Sequence, residues 1–325
     1  MPWQGAGKGW CVVTICAANQ LIVQRRYDGG RQGARFFGGP LQPSGFFAPW
    51  FKRIQMTATA ILFTSAGFAV AADGRQRWGH APTRDSATLA AERENEQKIF
   101  EVPGVPVAYT IRGDAASRDH SFDISAMLQT QIAEVLERSQ GQSLYLFADA
   151  VSVVLQQAIE RARRNGVIED YPEAEVTFVG YMREQPGWVD VRFRRYANGL
   201  AREVIPRVFS PACWYYTGSP VIAELMASHD PRVPDIHGLQ SETMSLNDGV
   251  TIARAYVETC CSPLGMEVDA ENCASIGGHV HVATVCPFRH IGIWERWKRA
   301  FSGSGIGEMQ DGGFQWIIPP RGESR

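Results

Sequence analysis

The chain carries almost no net charge. Its 32 lysines and arginines stand against 34 acids, which leaves −2 at pH 7 over 325 residues. Nothing global therefore draws it to nucleic acid or to an anionic membrane surface. No apolar run reaches the roughly 20 residues that a membrane-crossing helix needs. Cysteine is sparse and odd in number, seven in all: Cys11, Cys16, Cys213, Cys260, Cys261, Cys273 and Cys286. No CxxC pair and no zinc-type spacing occurs among them, so the pattern reads as reduced thiols in a cytoplasmic protein. There is no internal repeat. Gly303, Gly305 and Gly307 follow no strand and open no helix, so there is no phosphate-cradling loop and no nucleotide cofactor is expected.

What is present fits an ordinary globular protein, with 45% hydrophobic and 20% charged residues. The length admits one large or two small domains. Residues 1–56 look unlike the rest: arginine-rich, weakly periodic and interrupted by Gly29-Gly30, Gly38-Gly39-Pro40 and Pro43-Ser44-Gly45. They are expected to lie outside the fold, as a leader, a propeptide or an over-extended start with Met56 the true initiator. A domain over 57–300 and a tail over 301–325 follow.

Residues 56–75, MTATAILFTSAGFAVAADGR, combine two β-rich runs, 57–63 and 68–72, around the small turn Thr64-Ser65-Ala66-Gly67. This predicts a β-hairpin. Its open ends bring Thr57 beside Asp73. A hydroxyl residue directly after a methionine, facing a carboxylate across a hairpin, suggests an N-terminal nucleophile. Release of residues 1–56 gives Thr57 both a hydroxyl and a free α-amine. A rival reading takes Lys52-Arg53 as a basic n-region, 58–70 as an apolar segment and Ala69-Val70-Ala71 as a cleavage site, giving an exported protein whose signal ends near Ala72. The polar break at residues 64–67 and the depth of the basic pair in the chain oppose it.

Further along, residues 98–102 and 107–111 predict a second strand pair around Pro103-Gly104, and 87–96 a partly helical excursion. Amphipathic helices are expected over 122–138 and 146–164, the second closed by Asn165-Gly166. Strands follow over 175–181, 187–195, 200–209 and 212–217, then a helix over 220–227. Ser245 opens a helix to about Cys261, and strands cover 278–285 and 290–294. Long helices segregated from hairpins predict an α+β fold, a four-layer αββα sandwich.

This order, with its motifs, resembles the proteasome-type N-terminal nucleophile hydrolases, the proteasome β-subunits and HslV-like peptidases. The opening hairpin with its Thr, Ala-Ala-Asp and following Arg carries most of the likeness. Gln97-Lys98-Ile99 resembles the family's lysine strand, Arg112-Gly113-Asp114 its glycine entry to the first long helix, Thr217-Gly218-Ser219 its serine turn, and Gly277-Gly278 its late glycine pair. The resemblance implies a threonine peptidase of intracellular protein degradation, with Thr57, Asp73, Lys98 and Ser219 catalytic and the Gly113 N–H as oxyanion donor. It also implies a peptide or protein substrate, assembly into a ring of like subunits, and no cofactor or metal. An ATPase partner stays open.

The chemistry is consistent with those residue types. A threonine hydroxyl needs a base. An α-amine, with an ordinary pKa of about 7.7–8.0, supplies one at neutral pH. A neighbouring Lys98 lowers that pKa by like-charge repulsion, and Asp73 is the counter-charge Lys98 requires once desolvated. Ser219 would orient the amine. Near Cys273 and Ile276 the chain departs from the family's acid and serine, with Asn272 or Ser275 as substitutes, so a non-catalytic subunit of the same fold is the alternative. His279 and His281 alternate on a strand and share one face, which suits a structural pair better than a metal site lacking a third ligand.

Overall fold

The computed structural model describes residues 11–15, 21–25, 57–76, 93–117, 121–138, 143–197, 199–209, 213–234, 244–288 and 312–321. The chain divides into two units, Met1–Lys52 and Arg53–Arg325. In the first, β1 (Cys11–Ile15) and β2 (Leu21–Arg25) pair antiparallel, Cys11 opposite Arg25. The weak periodicity of residues 1–56 did not announce this hairpin.

The second unit holds two five-stranded antiparallel sheets. The first runs in the order β10 (Trp214–Thr217), β3 (Thr59–Phe63), β4 (Phe68–Ala72), β11 (His281–Cys286), β12 (Gly313–Ile318). The second runs β5 (Ile99–Glu101), β6 (Val107–Gly113), β7 (Ala174–Met182), β8 (Gln185–Tyr196), β9 (Gly199–Pro206). Helices α1 (Ile124–Arg138) and α2 (Leu144–Arg164) lie between β6 and β7 in the chain. Between β10 and β11 come α3 (Pro220–Ala227), α4 (Leu246–Cys261), α5 (Pro263–Val268) and α6 (Ala270–Cys273).

The period-2 geometry of a strand explains how these elements pack. On β3 and β4, Ile61, Phe68, Val70 and Ala72 point one way, into a cluster with Ile99, Ala108, Val179 and Trp188 of the second sheet. Ala60, Leu62, Ala69 and Ala71 point the other way, onto Ile222 and Met226 of α3 and Ile252 and Tyr256 of α4. The alanine row lets α4 come close: a Cβ on Gly249 would stand 2.6 Å from Thr64 Cγ2. On the second sheet, Tyr109, Val176, Phe178 and Val191 pack against Leu128 and Ile132 of α1 and Phe147, Val151 and Leu155 of α2. Full burial of an Ile61 or a Phe68 contributes about 1.5–3 kcal/mol each.

The α+β class and the antiparallel sheets agree with the sequence. The β3–β4 hairpin forms where expected, with Thr64 N–H donating to Gly67 O at 2.8 Å and Thr64 Oγ1 accepting from Gly67 N–H at 3.2 Å. Ser245 caps α4 in a reciprocal capping box with Asp248. Two expectations give way. Helix was expected over 87–96, yet Arg93 bridges to Gln76 as a strand pair does, with residues 77–92 outside the described ones. Residues 313–318, assigned to a tail, form β12 on β11. Asp311-Gly312-Gly313 marks a turn before it, and the run 314–318 pairs along the β11 edge. The strand expected over 290–294 lies outside the described residues, as do the glycines of 303–307.

Candidate active site

Thr57 sits two residues ahead of β3. Thr217 Oγ1 on the neighbouring strand β10 donates to the Thr57 carbonyl at 2.6 Å and itself accepts from Thr59 N–H at 3.1 Å. One threonine side chain thereby fixes the backbone on both sides of residue 58. The hairpin brings Asp73 alongside: Asp73 N–H donates to Ala58 O, and Ala58 N–H donates to Asp73 Oδ1, both at 3.0 Å. Asp73 ends the all-buried strand β4 and is itself fully buried.

Lys98 comes from the other sheet, just before β5. Its Nζ donates to Asp73 Oδ1 at 3.0 Å and to Thr57 Oγ1 at 3.4 Å. Thr57 and Lys98 are each 8% exposed. Burial pushes the Asp73 carboxyl above its ordinary range. The Lys98 charge and the N–H groups of Gly277 and Arg75 oppose that shift, at 3.2 and 3.3 Å from Oδ2. A buried pair of this kind is costly to break, because the orphaned charge cannot rehydrate.

Gly113 closes β6 at φ +87°, a conformation that side chains resist, and a Cβ there would stand 2.3 Å from Glu173 O. It lines a solvent-open cleft of about 590 Å³ with Thr57, Lys98, Ile111, Arg112 and Ser275. Beneath the cleft, Arg112 pairs with Glu175 at 2.5 Å, Arg192 Nε with Glu175 at 2.8 Å, and Arg207 Nε with Asp190 at 2.6 Å. Burial works to raise the Glu175 pKa, but Arg112 and Arg192 together hold it below the usual carboxylate range. For Asp190 burial wins and the shift is upward. This network anchors the β6 end that carries Gly113.

Ser219 is fully buried and caps α3, accepting from Ile222 N–H at 3.1 Å and donating to Asp269 Oδ2 at 2.6 Å. Asp269 also receives the Asn272 amide at 2.9 Å. The hydrogen bonds of Ser219 thus run to the helix and to Asp269. Cys273 and Ile276 pack into the core, while Ser275 between them lines the cleft.

Sequence reasoning missed Thr217 as an anchor, because nothing local marks a threonine whose partners are about 160 residues away. It also missed how Arg75 is used. The guanidinium salt-bridges Glu94 at 3.0 Å and donates to Ile276 O at 3.2 Å, passing where a Gly277 Cβ would stand 2.5 Å from its Cζ. The glycine pair signalled that close approach without naming what approached.

The two histidine rings lie 5.2 Å apart, with His279 Nε2 3.0 Å from Pro319 O and His281 Nε2 3.4 Å from Asn95 Oδ1. Among the described residues no group of three His, Cys, Asp or Glu is placed to hold a metal ion, and no helix is long and apolar enough to cross a membrane.

No family model matches the chain. No curated protein matches it. The solved structures similar to it include three of Anbu proteins. An Anbu (Gly-1) mutant from Hyphomicrobium sp. strain MC1 is 14% identical with TM-score 0.42, over 78% of this chain and 99% of that one. The helical assembly of the Anbu complex from Pseudomonas aeruginosa gives 11% and 0.44, over 75% and 92%. Anbu (ancestral beta-subunit) from Yersinia bercovieri gives 12% and 0.41, over 78% and 100%. These findings correct the sequence resemblance: these three structures are Anbu proteins, and neither a family model nor a curated protein supports membership in the N-terminal nucleophile hydrolase family. Short collinear motifs such as Ala-Ala-Asp and Gly-Gly recur wherever strands end in tight turns, which is why they misled.

Proposed function

We propose that the chain is a threonine-type amide hydrolase in which Thr57, freed as the N-terminal residue, attacks a peptide carbonyl. The observation that carries this reading is the position of Lys98 Nζ, 3.0 Å from Asp73 Oδ1 and 3.4 Å from Thr57 Oγ1, in a buried site at the edge of a cleft.

In this reading the contact supports a division of roles. Lys98 donates toward Thr57 Oγ1, so it stabilises negative charge on the oxygen and does not receive its proton. The proton goes to the freed α-amine of Thr57, whose basicity the nearby ammonium tunes downward. Oγ1 then bonds to the carbonyl carbon, and the Gly113 N–H takes the oxyanion. The protonated amine delivers its proton to the leaving nitrogen, the C–N bond breaks, and an ester on Thr57 remains. Water, deprotonated by the same amine, hydrolyses that ester. Ser219, two residues beyond the Thr217 that grips Thr57, orients the amine in concert with Asp269. The four-layer αββα plan belongs to this reading, because it lets Lys98 reach across from one sheet to Asp73 on the other. The partners are a peptide or protein substrate and further copies of the chain. Self-association is supported by Tyr145, Leu146 and Val153, each more than a third exposed on α2.

A signal peptide ending near Ala72 fits poorly with the packing. Cleavage there would remove β3 and β4 from the middle of the first sheet, with Ile61, Leu62, Phe68 and Val70 all fully buried.

The test is intact-mass and N-terminal sequencing of the active protein, followed by an electrophilic threonine-directed probe. The expected results are Thr57 at the terminus and labelling that disappears in Thr57→Ala. Activity in a chain that still carries residues ahead of Thr57 would overturn the mechanism. A correctly processed chain that takes no label would favour the non-catalytic subunit.

A further inference from the structure

The cleft has an end that the mechanism does not use. Beyond Gly113 the chain turns back on itself. Ala115 N–H donates to Gly113 O at 2.8 Å, Ile124 N–H donates to Ala115 O at 2.7 Å, and Ala116 pairs with Asp123 as an isolated antiparallel bridge. That bridge brings Asp123 to the cleft, where it lines the wall with Phe100, Ile111, Ala115, Ala116 and Ser125. Phe100 and Ile111 are buried, and Asp123 is half-buried. This end is an apolar slot with one carboxylate in it.

Asp123 directly precedes α1, where the ordinary role of an acid is to cap the helix. Its Oδ1 does so, accepting from Ser125 N–H at 2.8 Å, Ser125 Oγ at 2.7 Å and Ala126 N–H at 3.3 Å. A cap needs one acceptor oxygen, and serine or asparagine would serve as well. All three of those bonds end on Oδ1, and no described residue donates to Oδ2. The other charges lining the cleft are matched. Lys98 Nζ stands 3.0 Å from Asp73, Arg75 Nε 3.0 Å from Glu94, Arg112 2.5 Å from Glu175, and Glu96 3.4 Å from Arg93. Among the described residues no cation pairs with Asp123. A half-buried carboxylate left in that state attracts a cation more strongly than one in bulk water, because the lower dielectric screens it less.

A second polar atom at this end is also unserved. Phe100 stacks on Tyr109 with ring centroids 5.1 Å apart, and the buried Tyr109 hydroxyl has no hydrogen-bond partner among the described residues. Burial raises the pKa of that hydroxyl and the Asp123 charge raises it further, so Tyr109 keeps its proton and the negative charge stays on Asp123.

We propose that this end of the cleft is a subsite for a positively charged substrate side chain, arginine or lysine, and that Asp123 is the residue that selects it. The proposal rests on the amide-hydrolase reading above and supplies its substrate class. Ile111 lies two residues before Gly113 on the same face of β6, and Ala115 lies two residues after it. A carbonyl seated on the Gly113 N–H therefore holds its own side chain beside the slot. The apolar walls take the methylene stem of the side chain, and Asp123 Oδ2 accepts from its charged head. A glutamate in the same place would set a second carboxylate against Asp123 and be repelled.

The experiment gives the full protein, as purified, a set of otherwise identical fluorogenic peptide amides with arginine, lysine, leucine or glutamate before the cleaved bond. The kcat/KM for arginine should exceed that for leucine by about 10- to 100-fold, as a charged hydrogen bond provides, and glutamate should rank lowest. Added salt should shrink the ratio. In Asp123→Asn, which keeps the capping oxygen, the arginine-to-leucine ratio should fall to near one. Asp123→Ser, also a good cap, should do the same and covers a folding defect in the first variant. A ratio that survives in both variants, or a parent protein that prefers leucine or glutamate, would overturn the subsite. If no peptide is cut, the amide-hydrolase reading fails by itself, and fluorescence anisotropy with a labelled arginine peptide amide judges the subsite. Binding weakened by about tenfold or more in Asp123→Asn upholds it, whereas equal binding by parent and variant, or none by either, overturns it.

Discussion

Replacing Lys98 by methionine keeps the length of the side chain and removes its charge. Asp73, fully buried, would lose the ammonium 3.0 Å from Oδ1 and keep only backbone N–H donors from Ala58, Arg75 and Gly277. Breaking a buried pair from one side costs about 3–5 kcal/mol. At about 2–4 °C per kcal/mol for a chain of this size, the melting temperature should fall by about 6–20 °C. The loss should depend on pH in a stated direction. The folded-state pKa of Asp73 already lies above its unfolded value because of burial, and removing Lys98 raises it further. The folded state then binds more protons across that window, so the stability of Lys98→Met falls as pH rises through the folded pKa and recovers as pH drops toward 4. The double variant Lys98→Met/Asp73→Asn should recover part of the loss at neutral pH, since no bare carboxylate remains. Melting curves of the four proteins at pH 5 and 7.5 form the cycle. A Lys98→Met protein as stable as the parent at pH 7.5, or equally destabilised at both pH values, would refute the claim that these charges are a dry, coupled pair.

Gly113→Ala puts a methyl group 2.3 Å from Glu173 O at a φ of +87°. Movement of the strand end should cut kcat by about 10²- to 10³-fold if its N–H receives the oxyanion; steady-state kinetics on a fluorogenic peptide decides, and an unchanged kcat removes Gly113 from the mechanism. His281 is fully buried beside Gly74, and burial first, then His279 and Lys98, hold its pKa down at about 4. The unfolded chain binds that proton near pH 6.5, so stability is complete above 6.5 and drains away as pH falls toward 4, by about 3 kcal/mol in all. In His281→Leu the fall in melting temperature between pH 7 and 4.5 should be shallower, and an unchanged slope would rule out this group as the cause. Thr217→Val should loosen the backbone at Thr57 and Thr59, lowering kcat more than it raises KM; the reverse split would place Thr217 in substrate binding.

The sequence by itself determined the parts whose cause is local. Two β-rich apolar runs, 57–63 and 68–72, around a Thr-Ser-Ala-Gly turn specify a hairpin whose register pairs Thr59 with Ala72 and sets Asp73 against Ala58, next to Thr57. Helical periodicity placed α1 and α2, and Ser245 with Asp248 marked the start of α4, because a cap is satisfied within three residues. Tertiary structure alone decided the rest. Thr217 gripping Thr57 and Arg75 crossing Gly277 join residues from separate elements, and no local pattern encodes a partner that only sheet order and helix packing bring near. Ser219 shows the same limit from the other side: its N-cap role was readable beside Pro220, but its bond to Asp269 required α6 to fold back onto α3. β12 makes the point for secondary structure: Asp311-Gly312-Gly313 and Pro319-Pro320 bracket the run, but which strand it joins was settled only by the edge that β11 offers.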